Sequence, residues 1–203
     1  MSCWALVPVK ARTEGKRRLS PVLDEDGRIC LVRAMLEHVL SVLATCPGVD
    51  DIAVLTPERD ALPANIRLLP DAGRGVNEAL REALQTLGRV GVKRVAIVAA
   101  DLPLVSPDEV ESLVEASQLS GIAIAPDRRG GGTNAVCVTV PTPFEFHFGP
   151  GSLVRHVAEA AKLGVTPAIV ALPGLAFDVD EPDDLALLKT HAAASASSSP
   201  GER

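Results

Sequence analysis

The sequence predicts a single α/β domain in which a mainly parallel sheet is flanked by helices. Short apolar runs typical of buried strands alternate with longer stretches that repeat apolar residues at helical spacing. The 203 residues suffice for one full core, and no internal repeat is visible. We expect the folded domain at residues 1–190 and a disordered tail at 191–203, because that Ala- and Ser-rich end has little to bury.

The composition argues against several functional classes. Apolar residues make up 47% and charged residues 23%, which is typical of a globular chain. A net charge of −6 does not favour nucleic-acid binding, and no apolar run is long enough to span a membrane. The four cysteines have neither zinc-binding nor disulfide spacing, so we expect a cytoplasmic protein.

The first half of the chain predicts strands and helices in alternation. Strands are expected at residues 4–9, 51–56, 66–69 and 94–100, and helices at about 25–43 and through 80–87.

The second half continues this pattern. Helices are expected at 107–117, from 152 and from about 182, and strands at 121–126, 134–140 and 166–172. Ser106 is the expected N-cap of its helix, with Pro107 in the first helical position.

Three carboxylates are candidate ligands. Asp101 follows the central strand, at the edge where open α/β sheets bind ligands, although it could simply begin a turn. Asp178 and Asp180 are two residues apart in an extended segment and therefore point to one side. Carboxylate oxygens suit Mg²⁺, whereas the alternative for this pair is to cap the last helix.

A basic loop follows the first strand. Its five cations within nine residues are Lys10, Arg12, Lys16, Arg17 and Arg18. Such a group could offset the charge on a triphosphate, or it could be an ordinary solvated run.

Glycine-containing loops provide further candidates. In the first loop, Gly73 and Gly75 would let the backbone approach a ligand, and Asn77 could form hydrogen bonds with the edge of a nucleotide base. The alternative is that this loop is only a turn leading into a helix. In the second, Gly149 precedes a helix opened by Ser152, whose N-terminus could bind an anion.

Together these motifs resemble the guanylyltransferases of coenzyme F420 biosynthesis, called CofC in archaea and FbiD in actinobacteria. The segments that carry the resemblance are Val7–Lys10, Lys16–Ser20, Asp71–Asn77, Ala100–Leu104, Gly132–Asn134, Phe148–Ser152 and Asp178–Asp180. The resemblance covers about residues 4–188. It implies a nucleotide-diphospho-sugar transferase-like (Rossmann-like) fold with an antiparallel element.

The resemblance also implies substrates and residue roles. GTP and a small phosphorylated acid would react with Mg²⁺ as cofactor, releasing pyrophosphate, and the product would pass to a downstream transferase. We expect the catalytic residues to be Lys10, Lys16, Arg18 and Asp101, and the Mg²⁺ ligands to be Asp101, Asp178 and Asp180. The acid would bind Thr133, Gly149 and Ser152, and the nucleotide Asp71, Gly73, Gly75 and Asn77.

The identity of the acceptor acid is the least constrained prediction. Gly151 stands where actinobacterial members tend to carry Asp, which favours 3-phospho-D-glycerate over phosphoenolpyruvate, with 2-phospho-L-lactate as a third choice. Alternatives are nucleotidyl transfer to a sugar phosphate or to molybdopterin, and a nucleotide-binding module without chemistry. The sequence is compatible with a homodimer.

Overall fold

The computed structural model describes residues 2–9, 16–57, 66–71 and 73–197. Lys10 and Arg12 of the predicted basic loop lie outside these residues. None of the helices described is long and apolar enough to cross a membrane.

Seven strands form one sheet. They are β1 (Cys3–Pro8), β2 (Asp51–Thr56), β3 (Arg67–Pro70), β4 (Arg94–Val98), β5 (Ile122–Pro126), β6 (Thr133–Thr139) and β7 (Ala168–Ile169). Their order is β3-β2-β1-β4-β6-β5-β7. Among these strands only β6 is antiparallel to its neighbours, β4 and β5, so the predicted mainly parallel sheet with an antiparallel element is confirmed.

Helices cover both faces of the sheet. They are α1 (Glu25–Thr45), α2 (Val76–Arg89), α3 (Pro107–Ser120), α4 (Ser152–Lys162), α5 (Pro173–Ala176) and α6 (Pro182–Ser197), with a 3₁₀ turn at Arg17–Leu19. The predicted N-cap of α3 is confirmed, because the Ser106 hydroxyl and the Glu109 side chain form a reciprocal capping box.

The core has two apolar layers separated by the sheet. Val7 packs in the layer that contains α1 and α3, whereas the adjacent Leu6 packs in the layer that contains α2 and α4. Successive residues of a strand point to opposite faces, so strands such as β1, β4 and β5 contribute to both layers. This double burial explains why the strands are continuous apolar runs.

The structure departs from the sequence prediction near the C-terminus. The strand predicted at 166–172 is reduced to β7, since Pro167 has no N–H to donate and Pro173 begins α5. The segment from residue 191, predicted as a disordered tail, continues α6 as far as Ser197 in the structure. Alanine is the strongest helix former, and the His191 ring contacts Phe177 edge-on at 5.9 Å. Residues 198–203 lie outside the described residues.

Candidate active site

The carboxyl edge of the parallel strands collects most of the predicted site residues. Lys16 follows β1, Asp101 follows β4, and Asp178 and Asp180 follow β7 and α5. Because β6 is antiparallel, its first residues also lie at this edge, and Thr133 is the first of them. The sheet therefore brings together residues that are up to 164 positions apart in the sequence.

A buried ammonium group joins two of the carboxylates. Lys16 Nζ donates a hydrogen bond to Asp101 Oδ2 and another, of 2.6 Å, to Asp180 Oδ1. The Lys16 side chain is only 9% exposed. Burial alone would lower the pKa of Lys16, but the attraction of Asp101 and Asp180 outweighs it and raises that pKa. Lys16 therefore stays protonated at neutral pH.

The backbone at Lys16 has an uncommon conformation. Its φ of 54° and ψ of 40° are left-handed, and no other non-glycine residue among those described has a positive φ. A side chain in this region costs free energy, and such residues are concentrated at functional sites. The conformation places the ammonium between Asp101 and Asp180.

Asp178 and Asp180 experience opposite environments. Burial raises the pKa of Asp178, and the negative charges of Asp101 and Asp180 raise it further. Burial would also raise the pKa of Asp180, but Lys16 reverses the effect and lowers it. Asn134 Nδ2 donates to Leu175 O at 3.0 Å and to Asp178 Oδ1 at 3.4 Å. The Lys16 ammonium thus pairs with two carboxylates, whereas Asp178 has only the Asn134 amide beside it.

The donor set fits a magnesium ion by its chemistry. Asp101, Asp178 and Asp180 offer only carboxylate oxygens, which Mg²⁺ prefers, in a site with excess negative charge. The carboxylate oxygens of the three residues do not all lie within 4.8 Å of one another. A shared ion would therefore require the carboxylates to converge.

A second group of potential ligands lies outside this edge. Atoms of Glu145, His147 and Glu159 all lie within 4.8 Å of one another. However, Lys162 Nζ already donates to Glu159 Oε2 at 2.7 Å, so the buried carboxylate has its own cation.

Sequence reasoning missed Asp184. Its carboxylate is 2% exposed, and Oδ2 accepts from the N–H groups of Asp180 at 3.0 Å and Glu181 at 2.8 Å. Arg128 and Arg129 both pair with Oδ1 of the same carboxylate. Asp184 thus caps the start of α6 and fixes the backbone of Asp180. An Asp in the first turn after Pro182 is the sequence signal that could have identified it.

Arg18 stands apart from the buried ammonium. Its side chain is 71% exposed and lies 3.6 Å from Glu181 Oε1, a separation at which an exposed pair contributes little. It is therefore free to reorient towards a ligand at the edge of the site.

The predicted acid-binding residues meet around the N-terminus of α4. Thr133 and Ser152 are both buried, and Ser152 N–H donates to Gly149 O at 3.1 Å. Gly149 has a φ of +119°, a conformation that favours glycine. Thr133 Oγ1 lies 3.1 Å from Nδ1 of His156, a residue of α4 that the sequence analysis left out of the site.

The predicted nucleotide-binding residues form a turn that leads into α2. Asp71 Oδ1 accepts from Gly73 N–H at 2.8 Å, so this carboxylate shapes the turn. Gly73 and Gly75 have φ angles of 73° and 96°, and a Cβ at either position would meet nothing within 4 Å. Open space thus adjoins both glycines. Asn77 does not face this space with a free amide, because its side chain bonds the backbone of Phe148.

Comparisons with known proteins identify chains similar to this one. The family described as Guanylyl transferase CofC like matches residues 3–199. A phosphoenolpyruvate guanylyltransferase from Sphaerobacter thermophilus is 40% identical and covers 98% of both chains. Another from Rubrobacter xylanophilus is 37% identical over 93% of this chain and 94% of its own. A 2-phospho-L-lactate guanylyltransferase from Halorubrum lacusprofundi is 37% identical over 88% of this chain and 81% of its own.

Solved structures support the fold. A Desulfovibrio desulfuricans protein provisionally described as a nucleotide-diphospho-sugar transferase superposes with a TM-score of 0.76 at 19% identity, covering 93% of this chain and 87% of its own. A nucleotidyl transferase of the genus Methanothermobacter gives 0.61 at 16% identity, covering 96% and 99%. At these identities the likeness concerns the fold alone.

Proposed function

Because the chain belongs to the family of CofC-like guanylyl transferases, we propose that it transfers a guanylyl group from GTP to a small phosphorylated acid. A phosphate oxygen of the acid would attack the α-phosphorus of GTP, and the bond to the β-phosphate would break to release pyrophosphate. The attacking oxygen is already ionised at neutral pH, so no general base is required. Positioning and charge neutralisation would supply most of the rate.

The observation that carries this proposal is the buried Lys16 ammonium between Asp101 and Asp180. Lys16 is protonated and water-poor, so it can offset negative charge on transferring phosphates more strongly than a solvated lysine. Arg18 is exposed nearby and can reach the leaving pyrophosphate, and Lys10 keeps the same predicted role outside the described residues.

Mg²⁺ is part of the proposal. Asp101, Asp178 and Asp180 would hold it, and when bound it would neutralise phosphoryl charge. The chain's own residues would orient the carboxylates. Lys16 also lowers the pKa of Asp180, and Asn134 holds Asp178 by a hydrogen bond.

The acid would bind where Thr133 faces the start of α4. The backbone N–H groups there carry the positive end of the helix dipole, and Ser152 adds a hydroxyl. Gly149 and Gly151 add no side chain of their own at the entrance to this helix, so a phosphate or carboxylate can approach the backbone beside the Arg155 guanidinium.

Phosphoenolpyruvate is the acceptor that we propose first. Relatives named as phosphoenolpyruvate guanylyltransferases are 40% and 37% identical across more than nine-tenths of this chain. The 2-phospho-L-lactate enzymes are also related, at 37% in the case of Halorubrum lacusprofundi. The 3-phospho-D-glycerate favoured by the sequence stays a rival, and the product would enter coenzyme F420 biosynthesis.

A coupled assay tests the whole proposal. Purified protein, GTP and Mg²⁺ are incubated with each of the three acids in turn, and pyrophosphate release is followed. A downstream ligase with the F420 precursor traps the guanylylated acid, and the product mass identifies the acid used. Release with phosphoenolpyruvate alone supports the first choice. GTP binding without release for any acid overturns the proposal, and release only with a sugar 1-phosphate would indicate the alternative transferase.

A further inference from the structure

His156 connects the two parts of the proposed acid site. It lies on α4 with 0% exposure, and its two ring nitrogens bond different segments. Nε2 accepts from the backbone N–H of His147 at 2.8 Å, and Nδ1 lies 3.1 Å from Thr133 Oγ1. His147 begins the loop of residues 147–151 that leads into α4, here named the Phe148 loop.

These contacts fix the tautomer of the imidazole. The Nε2 lone pair receives a backbone proton, so the hydrogen of the neutral ring must be on Nδ1. Nδ1–H then donates to Thr133 Oγ1. Burial and the neighbouring His147 and Arg155 lower the pKa of His156 to about 4, so this tautomer persists at neutral pH.

The bond decides what Thr133 can offer to a ligand. Its oxygen already accepts a hydrogen bond from His156, so the hydroxyl proton is the part left for another partner. A phosphate or carboxylate oxygen requires a hydrogen-bond donor. Thr133 is β-branched and buried, which restricts χ1 and so fixes the position of Oγ1, and the bond from His156 leaves the proton to point away from the imidazole.

The rings around His156 hold it in place. Phe148 contacts the imidazole edge-on at 4.9 Å and Phe144 lies at 5.7 Å. Phe144 is buried and Phe148 is partly buried, so the imidazole is packed on its apolar sides and bonded at both nitrogens. Such a group has little freedom to change partners.

We infer that His156 is a positioning residue for the acceptor acid: it aims the Thr133 hydroxyl as a hydrogen-bond donor and fixes the Phe148 loop beside it. This inference rests on the proposed function, because it assigns the acid to this end of the site. His156 itself does not touch the reacting atoms. Its effect should fall on the acid and not on GTP.

Two variants separate the two hydrogen bonds. His156→Gln can present an oxygen to His147 N–H but loses the donor to Thr133, whereas His156→Asn can keep a donor near Nδ1. We expect His156→Gln to raise the KM for phosphoenolpyruvate about tenfold, with the KM for GTP within about twofold. His156→Asn should restore part of the loss. Thr133→Val should raise the same KM, and His156→Gln should add nothing in that background.

Ala160→Gly is the matched control, since it destabilises the same helix one turn away from His156 and removes neither hydrogen bond of the imidazole. It should lower the melting temperature and leave the KM for the acid unchanged. The inference is overturned if the KM values for acid and GTP rise together, or if the Thr133 and His156 effects are additive.

Calorimetric titration with phosphoenolpyruvate measures binding of the acid at the same site without turnover. If the wild type binds the acid but releases no pyrophosphate, the proposed function fails, and weaker binding by His156→Gln still supports the inference. Equal binding by wild type and His156→Gln, or no binding by either, overturns it.

Discussion

The side-chain amide of Asn77 is paired with the backbone of Phe148. Asn77 Oδ1 accepts from Phe148 N–H at 2.8 Å, and Asn77 Nδ2 donates to Phe148 O at 3.3 Å. Asn77 lies in the first turn of α2, at the end of the predicted nucleotide-binding segment Asp71–Asn77, and Phe148 lies in the loop before the proposed acid site. This pair therefore links the two substrate regions.

The first prediction concerns this link. Asn77→Ala removes both hydrogen bonds and releases the Phe148 loop, so we expect the KM for both GTP and the acid to rise, by about fivefold each. Steady-state pyrophosphate release at varied concentrations of each substrate measures the two values. Glu78→Ala, a neighbouring exposed change, serves as the control and should alter neither. An increase confined to GTP would instead favour the contact with the base edge that the sequence predicts.

The second prediction concerns Lys16. Lys16→Met keeps much of the side-chain length but removes the charge between Asp101 and Asp180, so we expect kcat/KM to fall about 100-fold or more. Arg17→Met, an exposed change one residue away, should have a minor effect. Lys16→Met should also show a raised pKa for Asp180, measurable by carboxyl NMR, because Lys16 lowers that pKa in the wild type. Wild-type turnover in Lys16→Met would contradict the proposed role.

The sign of the pH dependence of folding stability follows from the pairing of Lys16 with Asp101 and Asp180. The folded-state pKa of Lys16 is raised above its usual value of 10.5, so folding favours the protonated amine. The stabilisation is complete below pH 10.5 and is lost as the pH rises through the raised value. Thermal unfolding between pH 8 and 11.5 should therefore show a steeper alkaline loss for the wild type than for Lys16→Met.

Much of this fold is predictable from the sequence because each element carries its own local signal. The strands buried on both faces are apolar runs, and Ser106, Pro107 and Glu109 mark the start of α3. The helical extension to Ser197 is less predictable, because alanine-rich segments have high helix propensity but no apolar face to indicate burial.

The site is less predictable because it depends on long-range contacts. The spacing of Asp178 and Asp180 indicates a shared face but not their opposite pKa shifts. The lowered pKa of Asp180 depends on Lys16, 164 positions away, and the raised pKa of Asp178 depends on burial and on Asp101. Asn77 looks like a free amide in the sequence, yet its partner is a backbone 71 positions away. A side chain's pairing with a distant backbone becomes apparent only in the folded structure, where loops from different strands meet.

The fourth prediction concerns Asp178. Its raised pKa means that the ionised carboxylate opposes folding at neutral pH, and this penalty declines as the pH falls through the raised value. Asp178→Asn should therefore raise the melting temperature without divalent metal at pH 7, by about 2 °C after allowance for solvent screening. It should also abolish Mg²⁺-dependent turnover and any thermal shift caused by Mg²⁺.

Asp183→Asn is the matched control for this change, since Asp183 is an exposed carboxylate in the first turn of α6. It should retain turnover and respond to Mg²⁺ like the wild type. If Asp178→Asn also keeps a full Mg²⁺ response, Asp178 is not a metal ligand.

The last prediction concerns Asp184, the buried carboxylate behind the site. Asp184→Ala removes the acceptor of the Asp180 and Glu181 N–H groups and leaves Arg128 and Arg129 without their shared partner. We expect the free energy of unfolding to fall by about 2–4 kcal/mol, measured by urea denaturation, because a cap and a buried charge are lost together. Turnover should fall as well, since Asp180 loses the bond that holds its backbone. Asp183→Ala should cost less than about 0.5 kcal/mol. Equal losses of unfolding free energy for the two variants would contradict the capping and charge-pairing role assigned to Asp184.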